Sequence, residues 1–250
     1  MKVSYLPSIF TILSLLFGYL ALGLIIKGNF PRAIFFITGS VILDGFDGTV
    51  ARLTKTESNF GVQLDSLVDA VTFGLVTAIM IYLWGFQETY PQMGKVVGFI
   101  FLSAGIIRLA RFNVLKEADA VPSNIFVGLP IPLAALSICS FILMLGEPLK
   151  NTTDLILFAI FVVLIAIMMI SNVKYRTMKK IRTKHSLPVL LLLAGTVALA
   201  INFPTYTLPA LTFSYVISPL FFFLLDKIRK EKRQFPEDVD ATPTPDRIDT

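Results

Sequence analysis

Four aspartates in the first third of the chain lie in or beside apolar runs that are long enough to cross a membrane. They are Asp44, Asp47, Asp65 and Asp69. On helices, the spacing within the first two and within the last two puts each pair on one face. By insertion scales an ionised Asp at the centre of a membrane helix costs about 2.5–3.5 kcal/mol, and four that all lay deep and unpaired would cost roughly 10 kcal/mol. Divalent metal is the simplest compensation, because hard cations such as Mg2+ bind carboxylate oxygen.

The composition places these aspartates in an integral membrane protein. Of the 250 residues, 55% are hydrophobic and only 16% are charged, whereas soluble domains carry about 25% charged residues. Apolar runs of about 20 residues are each long enough to span a bilayer, and they predict about eight helices in an all-α, polytopic membrane helical bundle. The runs are 7–26, 32–52, 61–84, 94–115, 125–146, 154–172, 187–203 and 206–226.

The basic residues predict the orientation of this bundle. Lys and Arg cluster over 174–184, after the sixth run, and over 227–233, after the eighth. With eight helices both clusters fall on one side, which the positive-inside rule makes the cytoplasm. We therefore expect a multi-pass protein of the cell (inner) membrane, with both termini and the mouth of the Asp cluster cytoplasmic. The net charge of +5 then reflects contact with anionic membrane lipid and not with nucleic acid, and Trp84 is expected in an outer aromatic belt.

The two pairs of aspartates are expected to face each other. The first pair ends the second run, the second pair opens the third, and only residues 53–60 join them, so the two helices are predicted to be antiparallel neighbours. Two divalent ions about 3.5–4 Å apart can be held between such faces, an arrangement used for phosphoryl transfer. Gly48 lets a nucleotide approach the backbone, while Arg52 and Ser58 offer donors for phosphate.

The spacing as a whole resembles the signature of the CDP-alcohol phosphatidyltransferase family. That signature reads Asp-x-x-Asp-Gly-x-x-Ala-Arg, eight residues, then Gly-x-x-x-Asp-x-x-x-Asp, and every fixed residue is present. They are Asp44, Asp47, Gly48, Ala51, Arg52, Gly61, Asp65 and Asp69. The resemblance implies a homodimer and a six-helix core, which we place at 1–172. Beyond it we expect a basic cytoplasmic loop (173–186), two additional C-terminal transmembrane helices (187–226) and a basic, then acidic, disordered tail (227–250).

The resemblance also implies roles for individual residues. The family binds a CDP-linked lipid with two divalent ions, Mg2+ or Mn2+, on its pyrophosphate. The implied metal ligands are Asp44, Asp47, Asp65 and Asp69, and the implied contacts of the CDP moiety are Gly48, Arg52 and Ser58. Asp69 is in addition the implied general base, which takes the proton of the acceptor hydroxyl as that oxygen attacks the phosphorus bearing diacylglycerol and CMP leaves.

The acceptor alcohol depends on residues outside this signature. Arg108 and Arg111 share a helix face; by charge alone they are either boundary residues or, with Asn113, a site for an anion such as a carboxylate. This segment, with 64–74 and 128–132, resembles the membrane-embedded phosphatidylserine synthases of bacteria and archaea. That resemblance implies CDP-diacylglycerol as donor and L-serine as acceptor, in phospholipid biosynthesis. Glycerol 3-phosphate or inositol phosphate would also use arginine, and an ether-lipid donor stays open.

Two other classes of protein use intramembrane carboxylates. Intramembrane prenyltransferases bind a pyrophosphate through Mg2+ and two Asp motifs, but the interiors of the membrane runs after Asp69 hold essentially no acidic residue. A cation carrier would place ionisable or interrupted segments in both halves of the chain, whereas all the intramembrane acid here lies in the first third. Neither alternative predicts release of CMP from CDP-diacylglycerol.

Overall fold

The structure is a computed structural model, and it describes residues 5–53, 58–117, 125–176, 199 and 202–234, with side chains over 8–46, 58–115, 127–173, 175, 199 and 202–219. Within these residues the chain forms seven helices and two short strands. The helices are α1 (Tyr5–Ile26), α2 (Phe30–Leu53), α3 (Asn59–Phe86), α4 (Pro91–Glu117), α5 (Ile131–Leu145), α6 (Thr152–Ile170) and α7 (Pro204–Gln234). The strands are β1 (Ile125–Val127) and β2 (Lys174–Arg176).

Four helices in the described part of the chain are long and apolar enough to cross a membrane. They cover Ser8–Ile26, Asn59–Phe86, Pro91–Leu115 and Thr152–Ile170, and a shorter apolar helix covers Ile131–Leu145. The predicted all-α, polytopic membrane fold is confirmed. The predicted run at 187–203 falls almost wholly outside the described residues, so the count of eight stays a prediction.

The fifth helix starts later than its apolar run indicated. The run was taken from residue 125, but α5 begins at Ile131, directly after Pro130, and Pro132 lies in its first turn. Proline suits that turn because the N–H it lacks has no partner inside the helix there. The preceding residues form β1, which pairs antiparallel with β2. The prediction of a helix over 125–130 was therefore wrong.

Gly128 turns the chain from β1 into α5. Its φ is +78°, a left-handed conformation that glycine adopts without strain. Its N–H donates to the Val173 carbonyl at 2.8 Å, and the N–H of Leu129 donates to the Met168 carbonyl at 3.0 Å. A Cβ added to Gly128 would collide with the carbonyl oxygen of Met169. The turn is thus docked closely against the C-terminal end of α6.

The last helix extends further than its apolar run. α7 continues to Gln234, so the backbone over 227–234 is helical, although it was assigned to a disordered tail. Residues 235–250 lie outside the described part. The Thr212 hydroxyl donates to Ser140 Oγ at 3.1 Å, and this buried hydrogen bond joins α7 to α5.

Small residues let α1 approach both of its partners closely. Ser14 Oγ lies 2.6 Å from Ser40 Oγ of α2, and both side chains are buried. On α1, a Cβ added to Gly18 would lie 2.7 Å from the Thr72 side chain of α3. Close backbone approach at small residues is a main source of helix association in membranes, and here it brings together the two helices that carry the aspartates.

Trp84 does not belong to an interfacial belt. The side chain is 1% exposed, and its ring packs edge-on against Phe158 with centroids 5.2 Å apart. The belt prediction was wrong for this residue, because tertiary contact with α6 buries a ring that sequence position alone placed near the interface.

Cys139 is fully buried in α5.

Candidate active site

Three of the four predicted metal ligands come together between α2 and α3. Asp44, Asp65 and Asp69 each offer a carboxylate oxygen, and these atoms all lie within 4.8 Å of one another. Asp69 is 7% exposed, and the other two are half-buried. Carboxylates this close repel each other where water is scarce, so the arrangement suits a divalent cation, whose preferred ligands are oxygens of this kind.

The other residues of the signature are only partly described. Asp47, Gly48 and Arg52 lie in the last turns of α2, and the side chains of 47–53 are outside the described residues. On a helix, Asp47 lies nearly one turn beyond Asp44 and on the same face. Its place among the metal ligands stays a prediction, as do the contacts of Gly48 and Arg52 with the nucleotide.

Ser58 starts the helix that carries the second pair of aspartates. Its φ and ψ are −137° and 150°, and its Oγ accepts a hydrogen bond from the N–H of Gly61 at 3.1 Å. Serine is a preferred N-cap because this bond satisfies an N–H that the helix leaves open. Sequence reasoning assigned the hydroxyl to the CDP moiety and missed the capping role. Asp65 and Asp69 follow two and three turns later, on one face.

A π-helical segment begins immediately after Asp69. It runs Ala70–Leu75 and buries Thr72, Phe73 and Gly74. The wider turn of a π-helix changes the angle between successive side chains, and such segments occur frequently at functional sites. Asp69 therefore sits where the α-helical face of the aspartates ends.

Arg108 is the buried cation of the site. It is 6% exposed, and it interacts electrostatically with Asp69 and, less strongly, with Asp44 and Asp65. Its Cζ lies 5.5 Å from the centroid of the Phe112 ring. Its Nε is buried, and among the described residues it has no hydrogen-bond partner. The guanidinium thus retains a donor for a ligand beside the carboxylates.

Arg111 was predicted to contact the acceptor together with Arg108, and that contact stays a prediction, because the structure shows Arg111 bonded within the bundle. Its Nη1 donates to the carbonyl of Ile170 at 2.9 Å, and its Nη2 donates to Asn172 Oδ1. These contacts cap the C-terminal end of α6, where a cation also suits the helix dipole. Arg111 fastens α4 to α6.

Asn113 also has a partner within the bundle. Its Nδ2 donates to Ser66 Oγ at 3.0 Å, and Ser66 follows Asp65 directly. The amide joins α4 to the helix that carries the aspartates, and binding to an acceptor stays a prediction for this residue.

Two tyrosines that were not predicted from the sequence are stacked on each other, and one of them interacts with Arg108. The rings of Tyr175 (β2) and Tyr215 (α7) are stacked, with centroids 5.3 Å apart and an angle of 15° between their planes. Tyr215 interacts electrostatically with Arg108. Burial, and then the neighbouring Tyr215, raise the pKa of Tyr175 to about 12, so its hydroxyl stays protonated at neutral pH. No local pattern signals this pair, because the stack depends on the docking of two distant segments.

Fold and site together define a multi-spanning helical membrane enzyme with a carboxylate centre. Residues 4–171 match the CDP-alcohol phosphatidyltransferase family, and the chain belongs to that family. This confirms the membership predicted from the aspartate spacing. The match ends before β2 and α7.

Several curated relatives carry one functional description, CDP-diacylglycerol–serine O-phosphatidyltransferase. The protein of that name from Helicobacter pylori is 35% identical over 190 residues, which cover 75% of this chain and 78% of the relative. The one from Methanocaldococcus jannaschii is 34% identical over 174 residues, 70% of this chain and 75% of the relative. The one from Bacillus subtilis is 33% identical over 178 residues, 71% of this chain and 93% of the relative.

Proposed function

We propose that this protein transfers the phosphatidyl group of CDP-diacylglycerol to the hydroxyl of L-serine, giving phosphatidylserine and CMP. The observation that carries the proposal is the carboxylate cluster of Asp44, Asp65 and Asp69 with the buried Arg108 beside it. The names of the relatives from bacteria and an archaeon support the same donor and acceptor.

The carboxylate cluster is the proposed holder of the divalent ions. Oxygen ligands drawn from two helices fit Mg2+ or Mn2+, and Asp47 would add a fourth carboxylate. Bound there, two ions would neutralise the pyrophosphate and stabilise the charge that develops on the leaving CMP. Gly48, Arg52 and Ser58 are the proposed contacts of the CDP moiety, with the Arg52 guanidinium positioned for a phosphate.

Asp69 is the proposed general base. It is the most buried of the three carboxylates and the strongest acidic partner of Arg108. In the proposed reaction the serine hydroxyl gives its proton to Asp69 while its oxygen forms a bond to the phosphorus that bears diacylglycerol. The bond from that phosphorus to the oxygen of CMP breaks, and CMP leaves with the electron pair.

Arg108 is the proposed contact of the serine carboxylate. The carboxylate of serine brings a negative charge into a region that already holds three aspartates, so this group needs a cation within hydrogen-bonding reach. Arg108 has both the burial and the open Nε–H for this role. Arg111 and Asn113 act in the proposal by holding α4 in place, because both already bond to neighbouring helices.

The arrangement in the membrane follows from the basic clusters and stays part of the proposal. The site and both termini face the cytoplasm of a cell (inner) membrane, where CDP-diacylglycerol and serine are both accessible. The core at 1–172 carries the transfer chemistry as one half of a homodimer. The segment beyond it comprises the basic loop, the added helices, the last of which continues to Gln234, and the tail.

The test is an acceptor panel with purified full-length protein in detergent. CMP release from CDP-diacylglycerol is followed with Mg2+ or Mn2+, with L-serine, glycerol 3-phosphate, inositol phosphate or no acceptor, and again after EDTA. The proposal predicts release that requires both serine and metal. If CMP is released only with a phosphorylated acceptor, that compound and not serine is the acceptor. If folded protein releases no CMP with any acceptor, phosphatidyl transfer is contradicted. A parallel series with an ether-linked CDP-lipid defines the donor.

A further inference from the structure

Helix α7 lies beyond the segment that matches the family, and its Tyr215 interacts electrostatically with Arg108. Thr212, which is 4% exposed, ties α7 to α5 through its hydrogen bond to Ser140. Tyr215 follows three residues later, on nearly the same helix face. Its ring packs partly buried against the core of the bundle. The docking of α7 therefore fixes where the Tyr215 side chain stands.

A second contact, with Tyr175, holds the ring of Tyr215. Tyr175 is 1% exposed and stacks on the Tyr215 ring. The position of Tyr175 is set in turn by the strand pair, in which it lies opposite Phe126. Among the described residues the buried Tyr175 hydroxyl has no hydrogen-bond partner, so Tyr175 contributes its ring to this arrangement. The Tyr215 ring is thereby held between the strand pair and the core of the bundle.

Arg108 is the described cation that a carboxylate ligand would meet beside the three aspartates. The groups that act electrostatically on Arg108 are three aspartates and Tyr215, so within the described residues this guanidinium is the cation on that side. Its buried Nε–H is an open donor. A neutral tyrosine hydroxyl adds a second donor without adding charge. One guanidinium and one hydroxyl match a carboxylate with a single charge better than a phosphate monoester with nearly two.

We infer that Tyr215, held in place by the stacked ring of Tyr175, completes the acceptor site by donating a hydrogen bond to the carboxylate of the amino-acid acceptor alongside Arg108. The inference rests on the proposed function and adds α7 to the parts of the chain that select the acceptor. Tyr215 is thus a specificity residue, and Tyr175 is a positioning residue that acts through it.

The test uses full-length protein in detergent and measures kcat and both KM values for each variant. Tyr215→Phe removes the hydroxyl and keeps the ring, and we expect the KM for serine to rise about tenfold or more while the KM for CDP-diacylglycerol stays within twofold. Tyr175→Leu removes the stack and should also raise the KM for serine, whereas Tyr175→Phe keeps the stack and should behave as wild type. Tyr206→Phe is the matched control, because Tyr206 lies on the same helix and is 75% exposed.

A second readout separates carboxylate binding from a general loss of structure. L-serine methyl ester keeps the hydroxyl and the amine and lacks the carboxylate. Wild type should prefer serine over the ester in kcat/KM, and Tyr215→Phe should reduce that preference about tenfold. Equal preference in both proteins, or an equal rise in both KM values, would overturn the inference and leave the proposed function standing. A wild-type protein that releases CMP only with another acceptor would overturn the proposed function and this inference together.

Discussion

Asn113 and Ser66 are joined by a hydrogen bond that crosses from α4 to α3. The Asn113 amide donates to Ser66 Oγ at 3.0 Å, and the Ser66 hydroxyl lies 3.3 Å from Asn113 Oδ1. Ser66 is the neighbour of Asp65, and Asn113 lies five residues beyond Arg108. The pair therefore sets the position of the helix that carries the buried cation relative to the helix that carries the aspartates.

A double-mutant cycle on this pair should reveal coupling. Asn113→Ala and Ser66→Ala each remove one partner and leave a part-buried polar group unsatisfied, so the two changes together should cost less than their sum. We expect a coupling of about 1 kcal/mol in unfolding measurements in detergent. The exposed pair Asn151 and Asp154, bonded at 3.1 Å, is the control and should couple more weakly. Additive losses at Asn113 and Ser66 would contradict the assigned role.

Arg108 and Arg111 should respond differently to the same substitution. Lysine keeps the charge and loses the planar fork of donors. Arg108→Lys should raise the KM for serine about tenfold or more, because the carboxylate contact depends on guanidinium geometry. Arg111→Lys should leave that KM within twofold and lower the thermal midpoint, because Arg111 bonds to the end of α6. The account fails if Arg111→Lys weakens serine binding and Arg108→Lys does not.

Gly128 and Gly28 separate backbone strain from steric collision. Their φ angles are nearly equal, +78° and +72°, and of the two only Gly128 has a neighbour in the way of a Cβ, the Met169 carbonyl. Alanine should strain both sites by roughly 1–2 kcal/mol. Gly128→Ala should lose about 1–3 kcal/mol more, because the turn must move away from α6. Thermal unfolding in detergent measures the difference, and equal midpoints would refute the close docking.

Ser58 can be tested for its two roles separately. Ser58→Ala should destabilise the protein by about 1 kcal/mol, because the N–H of Gly61 loses its acceptor. Ser58→Asp keeps an N-cap and adds a negative charge where the pyrophosphate is proposed to bind. Its stability should return to that of wild type while the KM for CDP-diacylglycerol rises. A wild-type KM in the Asp variant would limit Ser58 to the helix cap.

The sequence predicted the aspartate cluster because the information is local. Spacing fixes the face of each pair, and the short link makes the two helices neighbours, so Asp44 had to meet the helix with Asp65 and Asp69. At the end of α4 no comparable spacing or short link determines which side chains face the site. Arg108 and Arg111 are one turn apart, and which of them faces the site depends on α6. The Ile170 carbonyl of α6, which lies 59 residues further along the chain, accepts a hydrogen bond from Arg111.

The C-terminal contribution was equally hidden from sequence reasoning. The stack of Tyr175 and Tyr215 requires β2 to pair with β1 and α7 to dock on α5, two tertiary events that no hydrophobic period encodes. The apolar residues of β1 continue into α5, and a short apolar run fits strand and helix alike. Gly128 and Pro130 were the available signals that the helix begins later.

The most direct test of the central claim compares CMP release by wild type and Asp69→Asn. CDP-diacylglycerol, L-serine and Mg2+ or Mn2+ are supplied, and Asp154→Asn, an exposed aspartate at the start of α6, is the control. The account predicts that Asp69→Asn lowers the rate by a factor of about 100 to 10,000, while Asp154→Asn keeps the wild-type rate. A folded Asp69→Asn protein that retains more than about a tenth of the wild-type rate with serine would contradict the account, because general-base catalysis is worth far more than that.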